Sequence, residues 1–185
     1  MKKVFVVALK EEVNNLSNIF DIPVIISGVG KINAAITAGK LKYKGIKHII
    51  NIGSCGSFKH NIGDVLKIGS IYQDIDATPL VEYSHTPGEK NNNIIISESK
   101  TSCFTTDTFI CKTKKFSGSF TNFIDKTDIF DMEAFSFAKA CVELNMEFSC
   151  YKWVSDNGSG GDWEENKDIG FKNFKLKYEK IPNSL

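Results

Sequence analysis

Residues 22–56 read IPVIISGVGKINAAITAGKLKYKGIKHIINIGSCG, and this stretch decides the fold class. Apolar residues predict a strand over Ile22–Ser27 and a second strand over Lys47–Ile52. Between them, a Gly-Val-Gly turn leads into an alanine-rich segment that predicts a helix over Lys31–Tyr43. The order strand, helix, strand is typical of proteins in which helices cover a β-sheet.

The same alternation continues on both sides of this stretch. Before it, we predict a strand over residues 3–8 and a helix over Lys10–Phe20. After it, we predict one long or two paired strands over 64–75, strands over 94–96 and 102–105, a helix over Met132–Leu144, a strand over Phe148–Val154 and a helix over Trp163–Tyr178. The pattern predicts an α/β fold, and the length of 185 residues predicts a single domain over residues 1–185.

Composition excludes several classes of protein. No apolar run approaches the roughly 20 residues of a membrane span, and the basic, apolar N-terminus meets Glu11 and Glu12 too soon for a leader peptide. All 23 basic residues are lysine, so the chain has no arginine. Because the planar guanidinium of arginine is the usual group that binds phosphates and guanine edges, nucleic-acid binding is not expected. Five cysteines without a C-x-x-C pair predict reduced thiols in the cytoplasm. Three histidines without ligand spacing predict that there is no metal site, and no other cofactor is expected.

Polar or glycine-rich clusters lie where predicted strands end, which is where α/β proteins place their sites. They are Glu11-Glu12, Gly28–Gly30, Gly53–Ser57, Thr106-Asp107, Asp131–Glu133 and Ser155–Asn157. Each also has a structural interpretation: the glycines can make tight turns, and Asp131 and Glu133 can stabilise the first turn of a helix. Trp153 and Trp163 are expected to be core and cover residues.

The ordered set of motifs resembles the nucleoside phosphorylase/nucleosidase superfamily, and within it the 5′-methylthioadenosine/S-adenosylhomocysteine nucleosidases. The motifs, in chain order, are Ala8…Glu12, SGVGKINAA (27–35), NIGSCG (51–56), GDV (63–65), 74–78, DTFI (107–110), DMEA (131–134) and VSD (154–156). The resemblance implies a three-layer fold with a central mixed β-sheet flanked by helices. It also implies a homodimer that acts on a small-molecule purine nucleoside.

The resemblance further implies a role for each matching residue. Asp156 would protonate the departing purine, Glu12 would activate the attacking water, and Ser54 would support that water. The substrate-binding residues would be Glu133 for the ribose hydroxyls, Met132 against the sugar, Phe109 and Ile110 at the purine, and also Gly56 and Ser155. Lys152 stands where these nucleosidases usually have arginine.

Two alternatives stay open at the level of sequence. A purine nucleoside phosphorylase would use phosphate as the nucleophile, but it would hold that phosphate with arginines, one of them at the position of Asn51. A nucleoside-binding protein without catalysis is the other alternative, because the chain is shorter than usual for the family between Pro79 and Lys100 and between Cys111 and Asp131.

Overall fold

A computed structural model describes residues 2–159 and 162–179. Its strands are β1 (Lys3–Val7), β2 (Asn18–Ile19), β3 (Ile22–Ile26), β4 (His48–Gly56), β5 (Val65–Lys67), β6 (Ser70–Gln73), β7 (Asn93–Ile95), β8 (Ser102–Thr105), β9 (Ile129–Asp131) and β10 (Glu147–Asp156). Its α-helices are α1 (Lys31–Tyr43), α2 (Gly118–Lys126), α3 (Ala134–Glu143) and α4 (Asp162–Tyr178). A short 3-10 helix spans Lys10–Val13.

The strands form one mixed sheet. β3, β1, β4 and β10 run parallel to one another, and β6, β8 and β9 form a second parallel group. The two groups meet at the carboxyl end of β4, where Gly56 pairs antiparallel with Phe130 of β9. β2, β5 and β7 add antiparallel neighbours at β3, β10 and β6.

Helices cover both faces of this sheet. On one face, α1 packs against α3, and the buried side chains of Val6, Ile49 and Phe137 lie between them and the strands. On the other face, Phe171 and Phe174 of α4 pack into a core that includes other aromatic residues of β1 and β10. The predicted α/β class with a central mixed sheet between helices is therefore confirmed.

The prediction of a helix over Lys10–Phe20 is wrong. The chain makes only the 3-10 turn there and then reverses, because Asn14 and Asn15 take left-handed backbone angles (φ 53° and 59°). Ile19 then pairs with Ile22 across a two-residue turn in which both central residues, 20 and 21, also have positive φ. Such a turn matches the twist of an antiparallel hairpin, so it closes β2 onto β3.

Other segments also differ from the sequence-based prediction. Gly53–Gly56, which the sequence predicts to be a turn, instead continues β4 to its end. Residues 64–75 form the separate strands β5 and β6, which pair with β10 and with β7 and β8 rather than with each other. The sequence prediction missed α2 and β9. In residues 2–159 and 162–179, no helix is both long and apolar enough to cross a membrane.

Candidate active site

A cavity of about 260 Å³ opens at the carboxyl ends of the central strands. Leu9 follows β1, Ser54 and Gly56 end β4, Thr106 follows β8, and Asp156 ends β10. Each of the nine residues predicted for the site lines this cavity: Glu12, Ser54, Gly56, Phe109, Ile110, Met132, Glu133, Ser155 and Asp156. The fold thus brings together residues that are far apart along the chain.

Glu12 is buried at one wall of the cavity, where backbone and side-chain donors hold its carboxylate. Its Oε1 accepts hydrogen bonds from the Ser54 amide (2.8 Å) and the Ser54 hydroxyl (2.5 Å), and its Oε2 accepts one from the Leu9 amide (3.0 Å). Gly53 makes room for this arrangement, because a Cβ at that position would lie 3.2 Å from Oε1 and its φ of 153° suits glycine. Three donors therefore fix the position of this carboxylate at the wall of the cavity.

Asp156 is buried at another wall, and its hydrogen bonds within the described residues come from an amide and a hydroxyl. Its Oδ1 accepts a hydrogen bond from the Gly158 amide (2.9 Å), and its Oδ2 lies 3.3 Å from the Ser155 hydroxyl. That hydroxyl also reaches the carbonyl of Cys55 (3.2 Å), so it can donate to the carbonyl and accept from a protonated Asp156. Burial raises the pKa of Asp156, and the charge of Asp162 adds to the effect although both hydrogen bonds oppose it. The surroundings of Asp156 therefore shift its pKa in the direction that favours the protonated form.

Glu133 closes the cavity near the start of α1. Its Oε1 accepts a hydrogen bond from the Gly30 amide (2.9 Å). Burial raises its pKa to about 7, and the charges of Asp131 and Glu12 act in the same direction. The Lys152 ammonium and the Gly30 hydrogen bond oppose this rise. Glu133 can therefore exist with or without its proton near neutral pH.

Lys152 is the buried cation behind this wall. Its Nζ lies 2.8 Å from Asp131 Oδ2, and both side chains are almost fully buried. Asp131 also accepts hydrogen bonds from the Thr105 hydroxyl (2.6 Å) and the Ala134 amide (2.9 Å), so it caps α3 as well. Burial alone would raise the pKa of Asp131, but Lys152 and these donors hold it below its ordinary value. Lys152 and Asp131 therefore form a buried ion pair at the floor of the site, with the positive and the negative charge held in fixed positions.

The Gly-Val-Gly turn before α1 serves carboxylates of the protein itself. Gly28 and Gly30 have positive φ (82° and 98°), which L side chains rarely adopt. The amide of Gly30 binds Glu133, and the amide of Lys31 binds Asp107 Oδ1 (2.9 Å). These two amides of the turn therefore bind side chains at the rim rather than an external phosphate.

Apolar side chains form the rest of the wall. Phe109 is 44% exposed at the mouth, whereas Ile110 is buried. Phe130 lies against Gly56, where a Cβ would meet its ring at 2.0 Å, so only glycine lets the ring occupy this position. Met132 completes this apolar side. Flat apolar walls beside carboxylates suit a ligand with an aromatic part and a hydroxylated part.

Sequence reasoning missed two features of the site. Trp163, expected only as a cover residue, does line the cavity, but it also donates a hydrogen bond from Nε1 to Ser54 Oγ (2.9 Å). The buried pair of Lys152 and Asp131 is the other feature. A lysine between Tyr151 and Trp153 in an apolar strand was a signal for it, because a buried ammonium requires a partner.

Fold and cavity together define an α/β protein whose carboxylates can supply acid and base to a ligand. A family model of the phosphorylase superfamily matches residues 19–180. A 5′-methylthioadenosine/S-adenosylhomocysteine nucleosidase of Staphylococcus aureus is 31% identical over an alignment that covers 82% of this chain and 73% of that protein. The corresponding nucleosidase of Bacillus velezensis is 29% identical over an alignment that covers 80% of this chain and 71% of that protein.

Solved structures match the fold over nearly the whole chain. A nucleosidase of the same name from Colwellia psychrerythraea, in complex with adenine, has a TM-score of 0.81 at 22% identity and covers 94% of this chain and 90% of its own. The nucleosidase of Helicobacter pylori, with an inhibitor, also has a TM-score of 0.81, at 19% identity, and covers 98% and 99%. The chain belongs to the phosphorylase superfamily and, within it, to the family of 5′-methylthioadenosine/S-adenosylhomocysteine nucleosidases.

Proposed function

We propose that this protein hydrolyses the N-glycosidic bond of a purine nucleoside of the 5′-methylthioadenosine or S-adenosylhomocysteine type. The products are the free purine and the ribose derivative. The observation that carries the proposal is that Glu12, Glu133 and Asp156, from three distant segments, line one cavity beside apolar walls.

The chemistry divides between two of these carboxylates. As the bond between C1′ and the purine breaks, its electron pair goes to the base, and Asp156 gives its proton to N7 of that base. The sugar becomes an oxocarbenium-like cation, which a water oxygen attacks at C1′ while Glu12 takes the water's proton. The raised pKa of Asp156 supports the acid role, because the residue must hold a proton before the bond breaks. The Ser54 hydroxyl supports the water beside Glu12.

The remaining residues bind the substrate. Glu133 accepts hydrogen bonds from the ribose hydroxyls, and Met132 packs against the sugar. Phe109 stacks on the purine, and the backbone of Ile110 reads its edge. Gly56 and Ser155 complete the list of substrate-binding residues.

Hydrolysis is favoured over phosphorolysis by the charge of the cavity. Among the described residues that line it, none is a lysine or a histidine. Asn51, at the position where phosphorylases have an arginine, is 1% exposed and donates to the carbonyl of Val6 in the sheet. A phosphate dianion would therefore meet carboxylates without a cation, whereas a water molecule has Glu12 and Ser54 as partners.

One assay tests this function against both alternatives. Purified protein is incubated with 5′-methylthioadenosine, with and without phosphate, and free adenine is measured by chromatography. Adenine release at the same rate in both conditions is the expected result. Release that strictly needs phosphate would establish a phosphorylase, and tight binding without release would establish a nucleoside-binding protein; either outcome overturns the proposal.

The protein is further proposed to act as a homodimer in the cytoplasm. Ile32, Ile36 and Tyr43 lie on one face of α1 and are 75%, 50% and 94% exposed, so an apolar stripe is available for a second copy. Free cysteines, four of them buried, fit a reducing compartment. Light scattering should give a dimer mass that Ile36→Asp lowers and that Ile95→Asp, at a 76% exposed position of β7, does not. A wild-type monomer would contradict the dimer.

A further inference from the structure

Trp163 is linked to the proposed catalytic base through a single hydroxyl group. The residue lies in the first turn of α4 and lines the cavity. Its indole Nε1 donates to Ser54 Oγ at 2.9 Å, and that hydroxyl donates to Glu12 Oε1 at 2.5 Å. The three side chains therefore form one continuous chain of hydrogen bonds.

The chemistry of the groups fixes the direction of this chain. An indole N–H can only donate, and a serine hydroxyl has one proton. Because Ser54 Oγ accepts from Trp163, its own proton is directed to Glu12 rather than to Trp163. The Ser54 amide binds the same carboxylate oxygen, so Oε1 is occupied twice. The lone pairs of Oε2 that the Leu9 amide does not use are left for a water in the cavity.

We propose that Trp163 is a positioning residue for the hydrolytic reaction. Its indole N–H orients the Ser54 hydroxyl and thereby holds Glu12 in the geometry that activates water. This inference rests on the proposed function, because it assigns Trp163 a role through Glu12. It predicts an effect on the chemical step rather than on substrate affinity.

A variant that removes only the N–H tests the idea without removing the helix. α4 is anchored independently by Phe171 and Phe174, which are fully buried in the core. Trp163→Phe keeps an aromatic ring over the cavity and should leave α4 in place. Leu176→Ala, at a 61% exposed position of the same helix, is the matched control and should keep wild-type kinetics.

The experiment is a double-mutant cycle with Trp163→Phe, Ser54→Ala and the combined variant, measured as kcat and KM for 5′-methylthioadenosine. Trp163→Phe should lower kcat about 3- to 10-fold, the usual effect of one lost hydrogen bond, with KM within about 2-fold of wild type. In the Ser54→Ala background the same substitution should change kcat less than about 2-fold, because its partner is already absent.

The outcomes separate this inference from the proposed function. Equal effects of Trp163→Phe in both backgrounds, or a raised KM with unchanged kcat, would show that Trp163 only covers the cavity and would overturn the inference. A wild-type protein that releases no adenine in the same assay would overturn the proposed function itself. Urea unfolding of each variant establishes that the proteins compared are folded.

Discussion

Replacing Glu133 with glutamine should make the protein more stable at alkaline pH and leave its stability nearly unchanged at pH 4.5. Burial raises the pKa of Glu133 to about 7, helped by the charges of Asp131 and Glu12 and opposed by Lys152. Between pH 4.5 and 7, the folded protein therefore keeps a proton on Glu133 that the unfolded chain releases. The favourable contribution is complete below pH 4.5 and is lost as the pH rises through 7.

The size of the effect follows from the two pKa values. The difference between the ordinary pKa of 4.5 and the raised pKa of about 7 corresponds to about 3 kcal/mol, at about 1.4 kcal/mol for each pKa unit. Glutamine has the shape of the protonated acid, and its carbonyl oxygen can still accept from the Gly30 amide. At pH 8 the Glu133→Gln variant should therefore exceed wild type by up to about 3 kcal/mol in free energy of unfolding.

Urea unfolding at intervals between pH 4.5 and 9 measures this difference. Titrating groups that do not interact with Glu133 affect both proteins equally, so the difference between wild type and variant reports Glu133 together with the charged groups around it. Glu98→Gln, at an exposed position, is the control and should follow wild type at every pH. A stability difference that does not change with pH, or a Glu133→Gln variant less stable than wild type at pH 8, would refute the reasoning.

Three further predictions test the site. Asp156→Asn should lower purine release about 10²- to 10⁴-fold, with a Tm close to wild type because the amide oxygen can still accept from Gly158; a large fall in Tm would instead indicate a structural cap. Glu12→Gln should stop adenine release yet still bind nucleoside in calorimetry, and a fully active variant would rule out water activation by Glu12. Lys152→Met should lower the free energy of unfolding in urea by about 3–5 kcal/mol, because it leaves Asp131 buried without its cation. Adding Asp131→Asn should restore part of that loss, and an unchanged stability of Lys152→Met would argue against the ion pair.

The sequence predicted those elements whose pattern is local and whose ends carry a signal. The helix over Lys31–Tyr43 forms with the predicted bounds, since Gly30 precedes it and its buried residues are Ala34, Ala38 and Leu41 on one face. The segment over Lys10–Phe20 has three apolar residues at intervals of three, so its pattern predicts a helix as well as the pattern of Lys31–Tyr43 does. Its paired asparagines adopt left-handed angles, and tertiary packing then turns the chain into a hairpin. The sequence also contains a signal for α2 that the prediction missed: Ser117 caps this helix, and Phe120 and Ile124 are the buried residues on one side of it.

The site was predictable to the extent that strand ends gather at one edge of a sheet. Clusters after β1, β4 and β10 had to approach one another once those strands ran parallel, and the resemblance supplied their roles. The contact between Trp163 and Ser54 had no such basis, because it joins residues 109 positions apart through one polar atom of an otherwise apolar ring. The same holds for Lys152 and Asp131, whose pairing depends on the order of β4, β9 and β10 in the sheet.

The position of one buried cation explains how neighbouring carboxylates can hold different protonation states. Lys152 contacts Asp131 directly, and the pKa of Asp131 is lowered despite full burial. The same ammonium lowers the pKa of Glu133, but burial and the charge of Asp131 raise it, and the pKa is about 7. Within residues 2–159 and 162–179, the influences on the pKa of Asp156 include no cation, and burial raises that pKa. Moving the cation toward Asp156 would lower the pKa of Asp156, whereas its placement beside Asp131 leaves burial free to raise that pKa, which is the direction that the proposed acid role requires.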